Sequence, residues 1–304
     1  MNSQFWRSNR RRILSASAAA LFCCALFTAP SGAFDPIINP NKVVRISEFA
    51  NSQAAQLLLV VLNSSFLALT EVPPTWETLR SETLEERDEI LRASVIGTFD
   101  MIFTSDREAV DDLFDQGLLQ GFFPVFSEEI VLVGPVSSGD AAGIGAAGVM
   151  GRIFREGTHF FSLITNEWSL KAEYALWEAS GIEDPGLNKN YVQSSRDDVT
   201  AMFQAGDEGA FLLVGEGSYA AYLNAQSSSP VLEKVAGTGV YRKSYVCLVK
   251  NSGYRKDRAR IAAKLASWLM SDEAGIVVDS FDIAGVTPFR RTPLFAEKRS
   301  GGAP

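Results

Sequence analysis

The chain has 304 residues, with 28 basic and 36 acidic side chains, one histidine and a formal charge of −8. This acidic balance argues against nucleic acid or an anionic membrane surface as a partner. One histidine and three cysteines offer no metal-ligand spacing, and 46% apolar residues suffice for one large core or two lobes.

Residues 1–33 have the layout of an export signal. Basic Arg7, Arg10, Arg11 and Arg12 precede an apolar stretch from Ile13 to about Ala29, then the small residues Ser31-Gly32-Ala33. At 17 residues, rich in Ala and Ser, the apolar stretch is short for a membrane span. An uncleaved anchor is the alternative. Asn9-Arg10-Arg11-Arg12-Ile13-Leu14 also resembles a twin-arginine signal. Cleavage near Ala33 would place the protein in the periplasm. It would remove Cys23 and Cys24, leaving Cys247 in the apolar run Tyr245–Val249, where a packed core thiol is expected. It would also take four of the 28 basic residues and none of the 36 acidic ones, for a formal charge of −12. Any bound oxyanion would then need local donors.

Beyond the leader, Asp35–Asn41 is a loose terminus and Val43–Ser47 a first strand. Asn51 or Ser52 can cap a helix with Leu57, Leu58, Val61 and Leu62 on its apolar face, stopped by Pro73-Pro74. Ser81–Ala93 reads as an acidic surface helix. Phe99–Ser105 is a buried strand ending in hydroxyls, followed by a helix over Arg107–Gln116 that Gly117 closes. Glu128–Pro135 is a strand and Ala141–Phe154 a Gly-rich helix. The apolar strand Phe160–Ile164 leads through a short polar loop into an amphipathic helix, Ser169–Ala179. Helix Asp197–Ala205, strand Ala210–Val214, helix Ser218–Ala225 and strand Tyr245–Val249 follow. The amphipathic helix Asp257–Met270, a helical stretch Ala274–Phe281 and a loose end at Arg299–Pro304 complete the chain. Strands alternating with helices indicate an α/β protein.

The segment Ser162–Trp177 resembles the ligand loop of the tungstate-binding periplasmic proteins, the solute receptors of tungstate ABC importers. The likeness rests on Ser162, Ser169 (Thr in the family), Lys171, Glu173 and Leu176-Trp177. Phe99–Ser105, Ile130–Pro135, Gly209-Ala210-Phe211, Gly217-Ser218-Tyr219 and Ala263–Asp272 extend it over roughly Val43–Phe289. The resemblance implies an α/β, two-lobed periplasmic-binding-protein type II fold, each lobe a mixed open sheet flanked by helices. Residues 34–132 and 246–304 would form one lobe and 133–245 the other, with a two-strand hinge near Gly134 and Tyr245. Ligands of such folds sit between the lobes, at the carboxyl ends of the strands.

Four loops should line that gap. Asn51 and Ser52 open the first helix, where side-chain donors serve a ligand or simply cap the helix. Thr104 and Ser105 end a buried strand and serve a ligand or a turn. Asn166, Glu167 and Ser169 form the third loop; Ser169 matches a ligand-contacting hydroxyl of the family or acts as an N-cap. Trp168 closes the gap or packs within its lobe. Glu216 and Ser218 form the fourth loop, with Ser218 at a family hydroxyl position. The family's anion-binding Arg is replaced by Leu163, its Asp-Arg pair by Gly215 and Glu216, and a hydroxyl residue by Glu167. Exchanging Arg for Glu reverses a term of about 4 kcal/mol at ~4 Å and an effective dielectric of about 20. Arg196 stands on a neighbouring loop as a compensating charge or a solvated one.

Three readings follow. In the first, an exported receptor closes on a small ligand, a neutral or cationic organic solute or a metal complex, and delivers it to an ABC permease. A second keeps the oxyanion, held by hydroxyls and helix starts. The third is a receptor-like fold retained as a non-transport interaction or sensor subunit. A monomer is expected, with no cofactor, metal or nucleic acid. Catalysis is not expected: His159 lies in an apolar context, and no nucleophile elbow or phosphate loop occurs. Gly143, Gly145 and Gly148 match dinucleotide-fingerprint spacing, but no strand runs directly into them, so a packing face is expected. The pairs Asp111-Asp112 and Glu128-Glu129 read as solvated or strand-edge charges.

Overall fold

A computed structural model of the protein describes residues 44–49, 52–70, 75–78, 99–135, 143–226, 229–250 and 256–292. The leader, Asn51, the acidic segment 81–93 and both loose termini lie outside the described residues.

Nine strands and eight α-helices alternate along the described chain. They begin with β1 (Arg45–Phe49), α1 (Gln53–Thr70), β2 (Thr75–Thr78), β3 (Met101–Thr104), α2 (Arg107–Asp115) and β4 (Leu119–Pro135). Next come α3 (Gly145–Glu156), β5 (Phe160–Leu163), α4 (Glu167–Ala179), β6 (Tyr191–Ser194), α5 (Asp198–Glu208), β7 (Phe211–Gly215) and α6 (Glu216–Ala225). The order closes with β8 (Leu232–Val249), α7 (Lys256–Leu269), α8 (Asp272–Asp279) and β9 (Phe289–Arg291).

The strands form one mixed sheet in the order β2-β1-β3-β8-β4-β7-β5-β6, with β9 beside β4. β4 and β8 run antiparallel from Leu119↔Val249 to Pro135↔Leu232 and so cross the whole molecule. One end of this ribbon pairs with β3 and the other with β7. Its ladder is interrupted by bulges between Pro124 and Phe126 and between Glu129 and Val131, where strands bend and twist most readily.

Helices cover both faces of each half, which is why the strands read as unbroken apolar runs. Met101 and Phe103 pack with Leu58 and Leu62 of α1 and Leu265 of α7. Ile102 faces the other way, against Val110 and Leu113 of α2. Ile130, Leu132 and Leu213 meet α3 and α4, while Val131, Leu212 and Val214 meet α5 and α6. Ile130–Val133 thus belong entirely to the second-half cores, whereas Val125, Phe126, Tyr245 and Val246 belong to the first. Cys247 is fully buried in the first half, and burial pushes its thiol pKa up. Asp100, at the entry to β3, accepts from Arg258 Nε (2.9 Å) and Nη2 (2.6 Å) and from the Arg45 amide (3.0 Å), tying α7 to β1.

Several boundaries differ from the sequence reading. The Gly-rich helix starts at Gly145 rather than Ala141, because Gly143 and Gly145 both take left-handed φ. Its buried Ala146, Val149, Met150 and Ile153 make it a packing face. Strands β2, β6 and β9 were not expected, and β4 and β8 extend far beyond Glu128–Pro135 and Tyr245–Val249. Among the described residues no helix is long and apolar enough to cross a membrane.

Candidate functional site

Strand registers decide what faces the gap between the halves. β1 and β3 run parallel, with Phe49 beside Thr104, and Thr104 pairs with Tyr245 on β8. Both therefore end at the ribbon segment between the two bulges. From the other half, β7 ends at Gly215 beside Ile130, and β5 and β6 run parallel to it. The carboxyl ends of both sets of parallel strands converge on Phe126–Ile130 and Tyr241–Tyr245. Helix starts at these ends carry unpaired N–H groups and a partial positive charge.

Two acidic side chains occupy that region. Glu128 and Arg242 are directly opposed on β4 and β8 and form a buried ion pair. Only 2% of Glu128 is exposed, so it is neither a solvated nor a strand-edge charge. Ser52, at the start of α1, accepts from the Ala55 amide (3.2 Å) and donates to Glu128 Oε2 (3.1 Å). It caps its helix and reaches the gap at once. The Glu128 carboxyl also rests on the start of α6. A Cβ at Gly215 would collide with Glu128 Oε1, and one at Gly217 would lie 2.7 Å from the Ala54 Cβ and 3.1 Å from Glu128 Oε2. Only glycine permits this approach.

Asp198, the first residue of α5, is the second acid. It accepts from Ser218 Oγ (2.7 Å) and from Asn166 Nδ2 (3.0 Å to each oxygen). Asn166 in turn caps α4 by accepting from the Ser169 amide (3.1 Å). Burial raises the Glu128 pKa above its ordinary value; Arg242 and the Ser52 hydroxyl oppose the rise, and the charge of Asp198 adds to it.

Ser52, Asn166 and Ser218 are thus brought together through two carboxylates absent from the sequence-based site. Ser169 is 1% exposed, behind the Asn166 cap, and its hydroxyl has no hydrogen-bond partner. Thr104 is fully buried and accepts from the Asp106 amide (3.0 Å), the turn role foreseen as its alternative. Ser105, 1% exposed, follows in the same turn. Glu167 points to solvent and pairs with Lys171 (2.5 Å), whose ammonium lies over Trp168. Trp168 packs against the second-half core. Arg196 is exposed. Glu216 is bound by Lys234 (2.7 Å) and lines a cavity of about 500 Å³ with Tyr219, Lys234, Asp279, Thr287 and Arg290.

Glu129, the neighbour of Glu128, is also buried, at 8% exposure, and points to the opposite face. There it accepts from the Gly239 amide (3.1 Å) and lies 3.9 Å from both Lys234 and Arg290. Among the described residues, no group of three or more His, Cys, Asp or Glu side chains is placed to hold a metal.

No protein-family model matches the chain, and neither does any curated protein. Solved structures do match. The tungstate binding protein TupA from Desulfovibrio alaskensis G20 aligns with a TM-score of 0.68 and 20% identity, covering 82% of this chain and 98% of that one. The tungstate ABC transporter structure from Geobacter sulfurreducens gives 0.62 and 20%, over 80% and 100%. Iron-bound HitA from Pseudomonas aeruginosa gives 0.55 and 13%, over 77% and 83%. With its crossing ribbon and its strand ends facing one gap, the chain has the two-lobed fold of the periplasmic binding proteins.

Proposed function

We propose that the protein is an exported, periplasmic solute-binding protein that closes on a small neutral or cationic ligand and delivers it to an ABC permease. The observation that carries this reading is the pair Glu128 and Asp198 between the facing strand ends. An oxyanion entering there would meet two carboxylates, and the donors Ser52, Asn166 and Ser218 already serve those carboxylates. A cation or a hydrogen-bond donor would instead meet acceptors. The tungstate-like specificity implied by the resemblance is therefore replaced in this proposal. The ligand wall comprises Ser52, Asn166 and Ser218 with Glu128 and Asp198, backed by Ser169, Thr104 and Ser105. Glu167 and Glu216 contribute charge from the margins, each held by a lysine.

The lobes in this reading divide at the ribbon segment between the bulges, Ser127–Glu129 on β4 and Tyr241–Ser244 on β8. That places residues 130–240 in one lobe, the span 133–245 with both boundaries moved a few residues towards the amino end. Thermal denaturation with a panel of amino acids, polyamines, sugars, tungstate and molybdate tests the ligand class. A ligand at a hundredfold its dissociation constant adds about 2.7 kcal/mol. Stabilisation by a cationic or neutral solute is expected, and a response to tungstate or molybdate alone would overturn the assignment.

A second reading is a receptor-like fold retained as a non-transport interaction or sensor subunit. It is favoured by the internal saturation of Ser52, Asn166 and Ser218, and no response to any solute would select it.

A further inference from the structure

We propose that Glu128 is a built-in anionic occupant of the interlobe gap, so that the two lobes already close on a side chain when no solute is bound. The inference rests on the two-lobed reading of the gap but not on which solute the protein carries.

The position of the carboxyl group carries the argument. It sits between the starts of two helices from opposite halves, α1 and α6. One oxygen accepts from Ser52 and the other from Arg242. A hydroxyl, a guanidinium and a helix start are what an anion site offers. The hydroxyl and the guanidinium are spent on a residue of the protein's own ribbon, whose carboxyl lies against the start of α6. Gly215 and Gly217 leave the room that the carboxyl fills.

The same spot is where the halves touch. Gly217 on α6 approaches Ala54 on α1 and the Phe289 ring on β9. Among the described residues, the charged groups that act on Glu128 are Arg242, from β8, and Asp198, from α5, whose own charge is engaged by Ser218 and Asn166. A cationic solute would have to replace Arg242 beside Glu128 to enter. The closed form without ligand then lowers apparent affinity by the fraction of molecules that are open.

The test uses the full-length protein in a buffer free of small anions, with formate, sulfate and tungstate as probes. Small-angle scattering should find the wild type compact without any addition, and its melting temperature should not respond to the three anions. Glu128→Ala should scatter as an expanded molecule. Formate or sulfate should restore its compactness and bind at least about tenfold tighter than to wild type, a change of about 1.4 kcal/mol. If Glu128→Ala keeps the wild-type radius and gains no anion response, the proposal fails. Should the alanine variant not fold, Glu128→Gln fills the same volume without the charge; it should scatter as open, and a closed Glu128→Gln overturns the proposal. A blank solute panel on wild type, beside an anion response in Glu128→Ala, would remove only the transport reading.

Discussion

Glu128 and Glu129 are neighbours on one strand, yet they live in different surroundings. Glu128 is enclosed by a guanidinium, a hydroxyl and two glycines where the halves meet. Glu129, on the reverse face, meets a backbone amide at 3.1 Å and two more distant cations, of which Arg290 is well exposed. The contrast teaches that burial of a carboxylate does not define its role. What matters is how directly the partners hold it: Glu128 sits in a buried ion pair, whereas the cations near Glu129 stand 3.9 Å away.

The sharpest way to break the contrast is to remove each carboxyl in turn. Glu128→Ala leaves Arg242 buried without a counter-charge and should cost about 3–5 kcal/mol in urea unfolding. Glu129→Ala loses one amide contact and two long ion pairs, so about 1–2 kcal/mol is expected. Equal losses would erase the distinction. Between these lies Gly217→Ala. Its methyl group would press on Ala54 and should cost about 1–3 kcal/mol, with scattering that shifts towards an open form.

Glu173 sharpens the picture away from the gap. It is 1% exposed, and burial raises its pKa above the ordinary 4.5, although Tyr191 and Trp177 both donate to it. The folded protein therefore holds this proton more tightly than the unfolded chain. Its stabilising contribution is complete below that ordinary value and is lost as pH rises through the raised one. The melting temperature of Glu173→Gln relative to wild type should climb as the pH moves from acid to neutral. A flat difference would contradict the burial argument. The smallest effect is expected at Glu167, whose pair with Lys171 is exposed at both ends. Glu167→Ala should change stability by less than about 1 kcal/mol.

The helix starts of the gap were legible because Ser52, Asn166 and Ser218 are polar residues at the junctions of apolar strands and helices. Glu128 was not. Its meaning depends on Arg242, which stands opposite it only because β8 begins at Leu232. The stretch Lys234–Lys243 holds two glycines and three basic residues, without the apolar alternation that marks a strand. Asp198 was hidden in the same way: next to the true N-cap Asp197, it looks like one more acid in a first helical turn. Thr75–Thr78 escaped because Pro73-Pro74 reads as a stop in the sequence and four residues are a short run on which to read a strand. Specificity was harder to read than architecture, since it depends on long-range registers.

The crossing ribbon has a consequence for assembly. β8 lies between β3 and β4, yet it is synthesised after nearly the whole second half. The cores that contain Ile102 and Phe103 must wait for Tyr245–Val249, whereas the buried members of those around Val131 and Leu213 all lie between Ile130 and Leu232. Contacts of long sequence separation form late. The polypeptide should thus mature from its middle outwards, with the amides of Val131 and Leu213 protected from pulsed deuterium before those of Ile102 and Val246.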